Sequence, residues 1–298
     1  MRLGIRSGYL EHYGLSEGAA KMRAHGYDGL DYQRFVDTTT EFFALPEREF
    51  EAQIKKERAV FEDVGLIVHQ AHGPWRSPKD ATEADRAERF AAMSKAIRGC
   101  AYLGTDRMVL HPLMPYGIKS GENAGEQYKI NFDFMSALAD VGAEYGITVC
   151  FENMPFPLLP IHSAVHVADF VRKVDHPYFK VCLDTGHCIR CGESLGDAVR
   201  YIGKELLYAL HVHDNDGKGD GHWLPGEGVG DFEDFGKALA EIGYDGVFSF
   251  ETYVTKRKGY EEAEHERYER ELVAFGRRIA DLKFDRKCNT PLDFHGAV

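Results

Sequence analysis

Eight short β-branched runs punctuate the chain at intervals of roughly 25 to 40 residues, a repeat length that one strand plus one returning helix fills. They cover residues 3–6, 29–32, 66–71, 107–111, 147–152, 179–184, 207–213 and 247–251, and apolar residues at helical spacing follow them. A helix between successive strands carries the chain back to the starting edge, so the strands must lie parallel. Eight such units predict an α/β fold, a single (β/α)8 TIM barrel. The helical stretches 83–103 and 125–145 stop at Gly104 and Gly146, where a left-handed cap is needed. No Ser- or Pro-rich linker and no step in composition interrupts the pattern before about residue 285, so a second domain has nowhere to begin. Residues 1–285 are read as the barrel. Residues 286–298 are read as a C-terminal tail that either packs on it or reaches a neighbouring subunit of a homo-oligomer.

Charge narrows the partners. The 48 Asp and Glu exceed the 36 Lys and Arg, leaving a formal charge of −12, the wrong sign for gripping a polyanion by counterion release. Nucleic acid is therefore not an expected partner. The opening MRLGIRSGYLEHYG has no apolar stretch of signal-peptide length, and no apolar run reaches the ~18 residues of a membrane span. These features point to a soluble, cytoplasmic protein with no membrane partner. The six cysteines, at 100, 150, 182, 188, 191 and 288, lack paired CxxC spacing, and reduced core thiols suit the same compartment. The single CIRC at 188–191 is read as part of a loop rather than as a redox pair.

In such barrels chemistry gathers at the carboxyl ends of the strands. Four successive runs end in acids or imidazoles: VCFENMP with Glu152, VCLDTGH with Asp184 and His187, ALHVHDND with His211, His213 and Asp214, and VFSFETY with Glu251. Residues two apart share a strand face. Cys150 therefore sits one step below Glu152, Cys182 below Asp184, Ala209 below His211 and Ser249 below Glu251. Val149, Phe151, Val181, Leu183, Phe248 and Phe250 take the other face, toward the helices. The small inner residues leave room above them for an ion or a substrate. Three carboxylates and an imidazole withdrawn from water together require a neutralising cation or protonation. A divalent metal is the simplest remedy, and mostly oxygen ligation suits Mn²⁺ first, with Mg²⁺, Co²⁺, Fe²⁺ or Zn²⁺ as alternatives. Taken singly, each acid could instead cap a helix or join a surface ion pair.

A second polar group comes from VHQAHGPW with His69 and His72, VLHPLMP with His111, and KGDGHWLPGEG with Asp220 and His222. His69 and His72 are an odd number of residues apart and so face opposite ways. The Gly73-Pro74 turn marks His72 as the rim residue and leaves His69 structural. The Gly226-Glu227-Gly228 loop has neither Walker nor dinucleotide spacing and is read as a turn into a helix beginning near Asp231, with no nucleotide cofactor.

FEN at Glu152, LDTGH from Asp184 to His187, HVHDND from His211, LPGEGVGDF at 224–232 and FETY at Glu251 together resemble the xylose isomerase-like barrel superfamily. That superfamily includes sugar epimerases and isomerases and the endonuclease IV family. The likeness covers nearly the whole chain. It implies that Glu152, Asp184, His211 and Glu251 hold one catalytic metal, and that His187 contacts substrate or a further metal. The endonuclease-like branch would add His72, His111, Asp220 and His222 as ligands for extra metals, and residues of fitting type stand at those positions. Epimerases of the superfamily commonly carry an arginine several residues beyond the seventh-strand histidine. Gly217 and Lys218 occupy that region here, a departure that argues against a close epimerase match and against a phosphorylated substrate.

The activity this implies is a metal-dependent sugar isomerase or epimerase acting on a ketose or related hydroxy-carbonyl through an enediolate. Glu152 and Glu251 would move the proton and His187 would support the developing oxyanion. Two other reactions suit the same residues: multi-metal hydrolysis of a phosphodiester, as in the endonuclease IV branch, and a metal-dependent lyase or deglycosidase step on a keto-sugar. Tyr9, His12, Trp75 and Trp223 fall in strand-to-helix loops, where they either stack on a sugar's apolar face or pack the loops. Arg6, Arg76 and Arg190 are the nearest cations for a negatively charged substrate group, with solvated surface residues as the alternative. A scaffold without chemistry is disfavoured, because polar strand ends gathered at one rim would destabilise it.

Overall fold

A computed structural model of the chain describes residues 1–75, 81–114, 122–252 and 262–280. Each expected run is a strand: β1 (Arg2–Arg6), β2 (Gly29–Tyr32), β3 (Ile67–His72), β4 (Arg107–Leu110), β5 (Thr148–Glu152), β6 (Phe179–Asp184), β7 (Leu207–His211) and β8 (Val247–Phe250). Paired strands are parallel, in the order β7-β6-β5-β4-β3-β2-β1-β8. The two ends of that sheet meet just past β7. The Val212 amide donates to Ser249 O at 2.8 Å, and the Glu251 amide donates to Val212 O at 3.0 Å. The sheet thereby closes into a single (β/α)8 barrel.

Between the strands run α1 (Gly8–Tyr13), α2 (Leu15–His25), α3 (Glu41–Ala44), α4 (Glu47–Asp63), α5 (Glu83–Leu103), α6 (Ala124–Tyr145), α7 (Ala164–Val174), α8 (Thr185–Arg190), α9 (Leu195–Ile202) and α10 (Phe232–Glu241), with α11 (Glu262–Ala280) after β8. The stops read from Gly104 and Gly146 are left-handed caps with φ of 83° and 69°. Outward-facing aromatics fix the helices to the sheet: Phe151 packs on Phe170 of α7, and Phe250 on Phe275 of α11. Burying each such ring stabilises the fold by roughly 1.5–3 kcal/mol.

Inside the barrel the side chains are small. Val109, Cys150, Cys182 and Ala209 form their own buried cluster, and the polar layer sits above it. His69 fills the space beside two glycines: a Cβ on Gly4 would lie 2.1 Å from its ring. Its Nε2 meets Ser249 Oγ at 2.9 Å, and burial pushes its pKa down to about 3, so it is a neutral structural residue. Cys188 and Cys191 are free thiols, turned toward Asn153 and the Met154 carbonyl respectively. Among the described residues no helix is long and apolar enough to cross a membrane. Residues 286–298, Cys288 and Arg76 lie outside the described residues.

Candidate active site

The polar strand ends converge as their alternation requires, except on β3, where a register shift between Val68 and Gln70 turns His69 as well as His72 into the barrel instead of to opposite faces. Asp184 closes β6 with two tasks. Its Oδ1 accepts the His187 amide at 2.7 Å and so caps α8, while Oδ2 lies 3.0 Å from His213 Nε2. The short α8 turns the His187 ring back over the barrel, where Nδ1 lies 2.7 Å from the Asn153 carbonyl. A carbonyl only accepts, so Nδ1 carries the hydrogen. His187 Nε2 faces Asp220 Oδ2 at 3.4 Å.

His211, at the end of β7, is gripped on both nitrogens. Nε2 is 2.9 Å from Asp31 Oδ2, and Nδ1 is 2.8 Å from Glu152 Oε1 and 3.5 Å from Glu251 Oε2. Burial opposes a charge on this ring, but Glu251, Glu152 and the Asp31 hydrogen bond outweigh it and hold the imidazole well above its ordinary pKa. Burial likewise opposes ionisation of Glu152, yet His211 and His111 keep its carboxyl well below the usual range.

Ligand atoms of Glu152, Asp184, His211 and Glu251 all lie within 4.8 Å of one another. His72 and His111 border this group, with Nε2 atoms 3.7 and 3.0 Å from Glu152 Oε2. The His111 approach is not aligned as a hydrogen bond, and Glu152 Oε2 is buried without one. A buried anionic oxygen left in that state is costly, and a divalent cation held by these oxygen and imidazole donors would satisfy it.

A second group abuts the first. Asp184, His187 and His213 form one close set, and His213, His222 and Glu251 another. The His213 and His222 rings stack at 4.0 Å. His222 Nδ1 donates to the Glu251 carbonyl at 2.7 Å, and its Nε2 lies 3.3 Å from Asp220 Oδ2. Burial lowers the pKa of both rings, but Asp184 and Asp220 carry His187 up to about 10, and Asp220 with Glu251 carries His222 up to about 9. The nine residues singled out in the sequence thus meet in one continuous polar layer.

Three participants were not assigned from the sequence. Asp31 is fully buried inside β2, where it accepts from His211, Gln33 and Gln70. Its signal was an acid within the apolar run GLDY. His213 shares the HxH spacing of His211, and Asn153 follows Glu152 directly.

The aromatics divide. Tyr9 packs rather than facing substrate: it is 2% exposed, with its hydroxyl 2.8 Å from His25 Nδ1. His12 lies against Tyr13 on α1. Trp223 is half-buried and pairs through its backbone with Asp214. His12 is exposed on α1, and Trp75 is an exposed ring edge-on to His111 at 5.9 Å. Arg190 ends α8 half-buried, and Arg6 is buried at the end of β1. The glycine loop cradles an anion of its own: the amides of Gly226, Gly228 and Gly230 donate to the Asp214 carboxylate at 2.9, 2.9 and 3.1 Å.

Fold and site together define a class: a (β/α)8 barrel with a buried carboxylate–imidazole centre at its carboxyl face. Residues 19–277 match the xylose isomerase-like TIM barrel family, and the chain belongs to that family. D-psicose 3-epimerase of Agrobacterium fabrum is 26% identical over 209 residues, covering 68% of this chain and 70% of that protein. The crystal structure of a D-psicose 3-epimerase in the presence of D-fructose superposes with a TM-score of 0.75 at 21% identity, covering 94% of this chain and 99% of that one. The IOLI protein with a bound zinc atom superposes with a TM-score of 0.76 at 18% identity, covering 96% and 100%. Both superpositions establish the shared fold.

Proposed function

We propose that the chain is a metal-dependent sugar isomerase or epimerase, acting on a ketose or related hydroxy-carbonyl through an enediolate. The observation that carries this reading is the convergence of Glu152, Asp184, His211 and Glu251, whose ligand atoms all lie within 4.8 Å of one another. The likeness to a D-psicose 3-epimerase supports a sugar as the substrate. Those four residues would hold the ion, Mn²⁺ first, and the zinc in a structural neighbour keeps Zn²⁺ among the alternatives. When bound, a divalent ion there polarises a carbonyl and its neighbouring hydroxyl and so acidifies the carbon they share.

The protein's own groups do the rest. Glu152 comes from β5 and Glu251 from the end of β8, with β6 and β7 between them, so their carboxylates approach the centre from different sides. Glu152, held ionised, takes the proton from one face of the substrate carbon, and Glu251 returns one to the other face, which inverts that centre. His187, with Nδ1–H committed to Asn153, offers Nε2–H to the developing oxyanion. We assign the protein to the cytoplasm and small sugars as its partners.

The test is proton exchange. The Mn²⁺-loaded chain in D₂O, offered a panel of ketoses, should wash deuterium into the carbon beside the carbonyl and yield an epimer or isomer. Glu152→Gln and Glu251→Gln should each slow this by roughly 10²–10⁴-fold. Either variant turning over at full rate with its metal still bound refutes the assignment. The second histidine-rich group favours one other reading, a multi-metal phosphodiester hydrolase. About three ions per chain together with cleavage of an abasic-site duplex would put it first; the charge of −12 opposes it.

A further inference from the structure

The chain leaves β3 along a path with no slack. The Gly73 amide donates to the Val109 carbonyl at 2.8 Å, and a Cβ at that position would run into the Leu110 side chain. Pro74 is buried and fixes its own φ. The Trp75 amide then donates at 3.1 Å to the Val36 carbonyl, in the loop after β2. Contacts to β4 on one side and to the β2 loop on the other therefore set where the Trp75 side chain starts. It starts at the carboxyl face, three residues beyond His72.

The ring itself faces water. Trp75 is 40% exposed, although His72, Gly73 and Pro74 before it are all buried. It stands next to the centre: the indole lies 5.9 Å from the His111 ring at an angle of 77°, and His111 Nε2 is 3.0 Å from Glu152 Oε2. A contact of this kind uses the edge of one ring and the face of the other, so it leaves at least one indole face uncovered. One imidazole thus separates a held, wetted aromatic face from the Glu152 carboxylate, a gap that a single sugar can bridge. A sugar carries C–H patches wherever its hydroxyls turn the other way. Such a patch gains by leaving water against an aromatic face, and its hydrogens meet the negative π-cloud. A hydroxyl that interrupts the patch is desolvated there without a partner, which is costly. The same face therefore discriminates between sugars by configuration.

We infer that Trp75 is the stacking platform for the substrate carbons beyond the reacting pair, and so the residue that selects among sugar configurations. The inference rests on the isomerase/epimerase reading of the adjoining centre, and it goes further by saying where the unreacting part of the sugar lies and what chooses it.

The experiment compares D-fructose with its epimers D-tagatose and L-sorbose, which present different C–H patches, in the D₂O exchange assay on the full Mn²⁺-loaded chain. Trp75→Ala should raise KM for the preferred sugar by roughly tenfold or more and narrow the spread of KM among the three. It should leave kcat within about threefold, because the indole touches no proton in transit. Trp75→Phe keeps an aromatic face and should recover most of the lost KM. A second readout needs no turnover and no change at Trp75. The chain has two tryptophans, Trp75 and Trp223, so in Trp223→Phe the indole emission comes from Trp75 alone. Titrating the Mg²⁺-loaded form of that variant with the same sugars should shift or quench the emission to saturation. An unchanged KM in Trp75→Ala, or a loss confined to kcat, overturns the platform. Exchange on any of the sugars with flat emission overturns it too and leaves the epimerase reading standing. Saturable emission change with no exchange on any keto-sugar does the reverse. Should Trp75→Ala not fold, Trp75→Phe and the emission titration decide the matter.

Discussion

Asp31→Asn probes how the barrel prepares its metal ligand. The Asp31 carboxylate is fully buried and accepts at Oδ2 from His211 Nε2 at 2.9 Å, Gln33 Nε2 at 3.1 Å and Gln70 Nε2 at 3.2 Å. It fixes the orientation of His211 and leaves Nδ1 as the nitrogen aimed at Glu152 and Glu251. An asparagine oxygen could still accept from the ring, so geometry is largely kept while the charge is lost. Losing a partner of this kind typically weakens metal affinity roughly 10–100-fold, about 1.4 to 2.8 kcal/mol. Calorimetric titration of the metal-free chain with Mn²⁺ measures it directly. Repeating the titration in buffers of different ionisation heat counts the protons released. In the wild type the His211 imidazolium must deprotonate before Nδ1 can ligate, so about one proton should leave per ion. Affinity should then rise by up to about tenfold per pH unit while pH stays below the raised imidazole pKa. In Asp31→Asn the second proton is held less firmly, and the count should fall below one. An affinity within twofold of wild type with the same proton count would refute the idea that Asp31 sets the state of His211.

Two further outcomes follow from features away from the reacting atoms. Glu269 is buried where the Tyr27 hydroxyl donates to it, and burial raises its pKa from 4.5 to about 7 despite hydrogen bonds from Tyr27 and Tyr9. The folded state therefore holds this proton more tightly than the unfolded state, so its favourable effect is complete below pH 4.5 and fades as pH rises through about 7, by about 3 kcal/mol at most. Glu269→Gln keeps an acceptor for Tyr27 and should flatten the decline in urea midpoint between about pH 5 and 8; an unaltered slope counts against it. Gly186 in α8 has no room for a side chain, since a Cβ there would lie 1.9 Å from the His213 ring. Gly186→Ala should drive His213 off Asp184 and lower stability by roughly 1–3 kcal/mol. A melting temperature and metal stoichiometry equal to wild type would show that the ring has another place to go.

What could be read without coordinates depended on local pattern. Cys150 beside Phe151 and Cys182 beside Leu183 separated inner from outer faces because a strand has period two, and Glu152, Asp184 and Glu251 stood out because they close apolar runs. Asp31 did not stand out: it lies within a four-residue strand, next to a register shift at Leu30/Asp31, and its partner His211 is 180 residues away. No periodicity reports a contact of that range. His213 was named among the strand-end imidazoles but given no ligand role, and the structure places it just past the last residue of β7, where the chain continues through the Val212 bridge. Tyr9 looked like a loop residue, but α1 starts two residues after β1 and carries the ring into the helical layer.

The three glycine amides that close on Asp214 bear on the timing of recognition. That carboxylate, together with the Asp214–Trp223 bridge, staples the loop that carries Asp220 and His222 to itself. The loop's shape is then set during folding, by an internal counter-charge, and no incoming molecule has to order it. Binding at this rim should show fast, single-phase association with little entropy lost from the backbone.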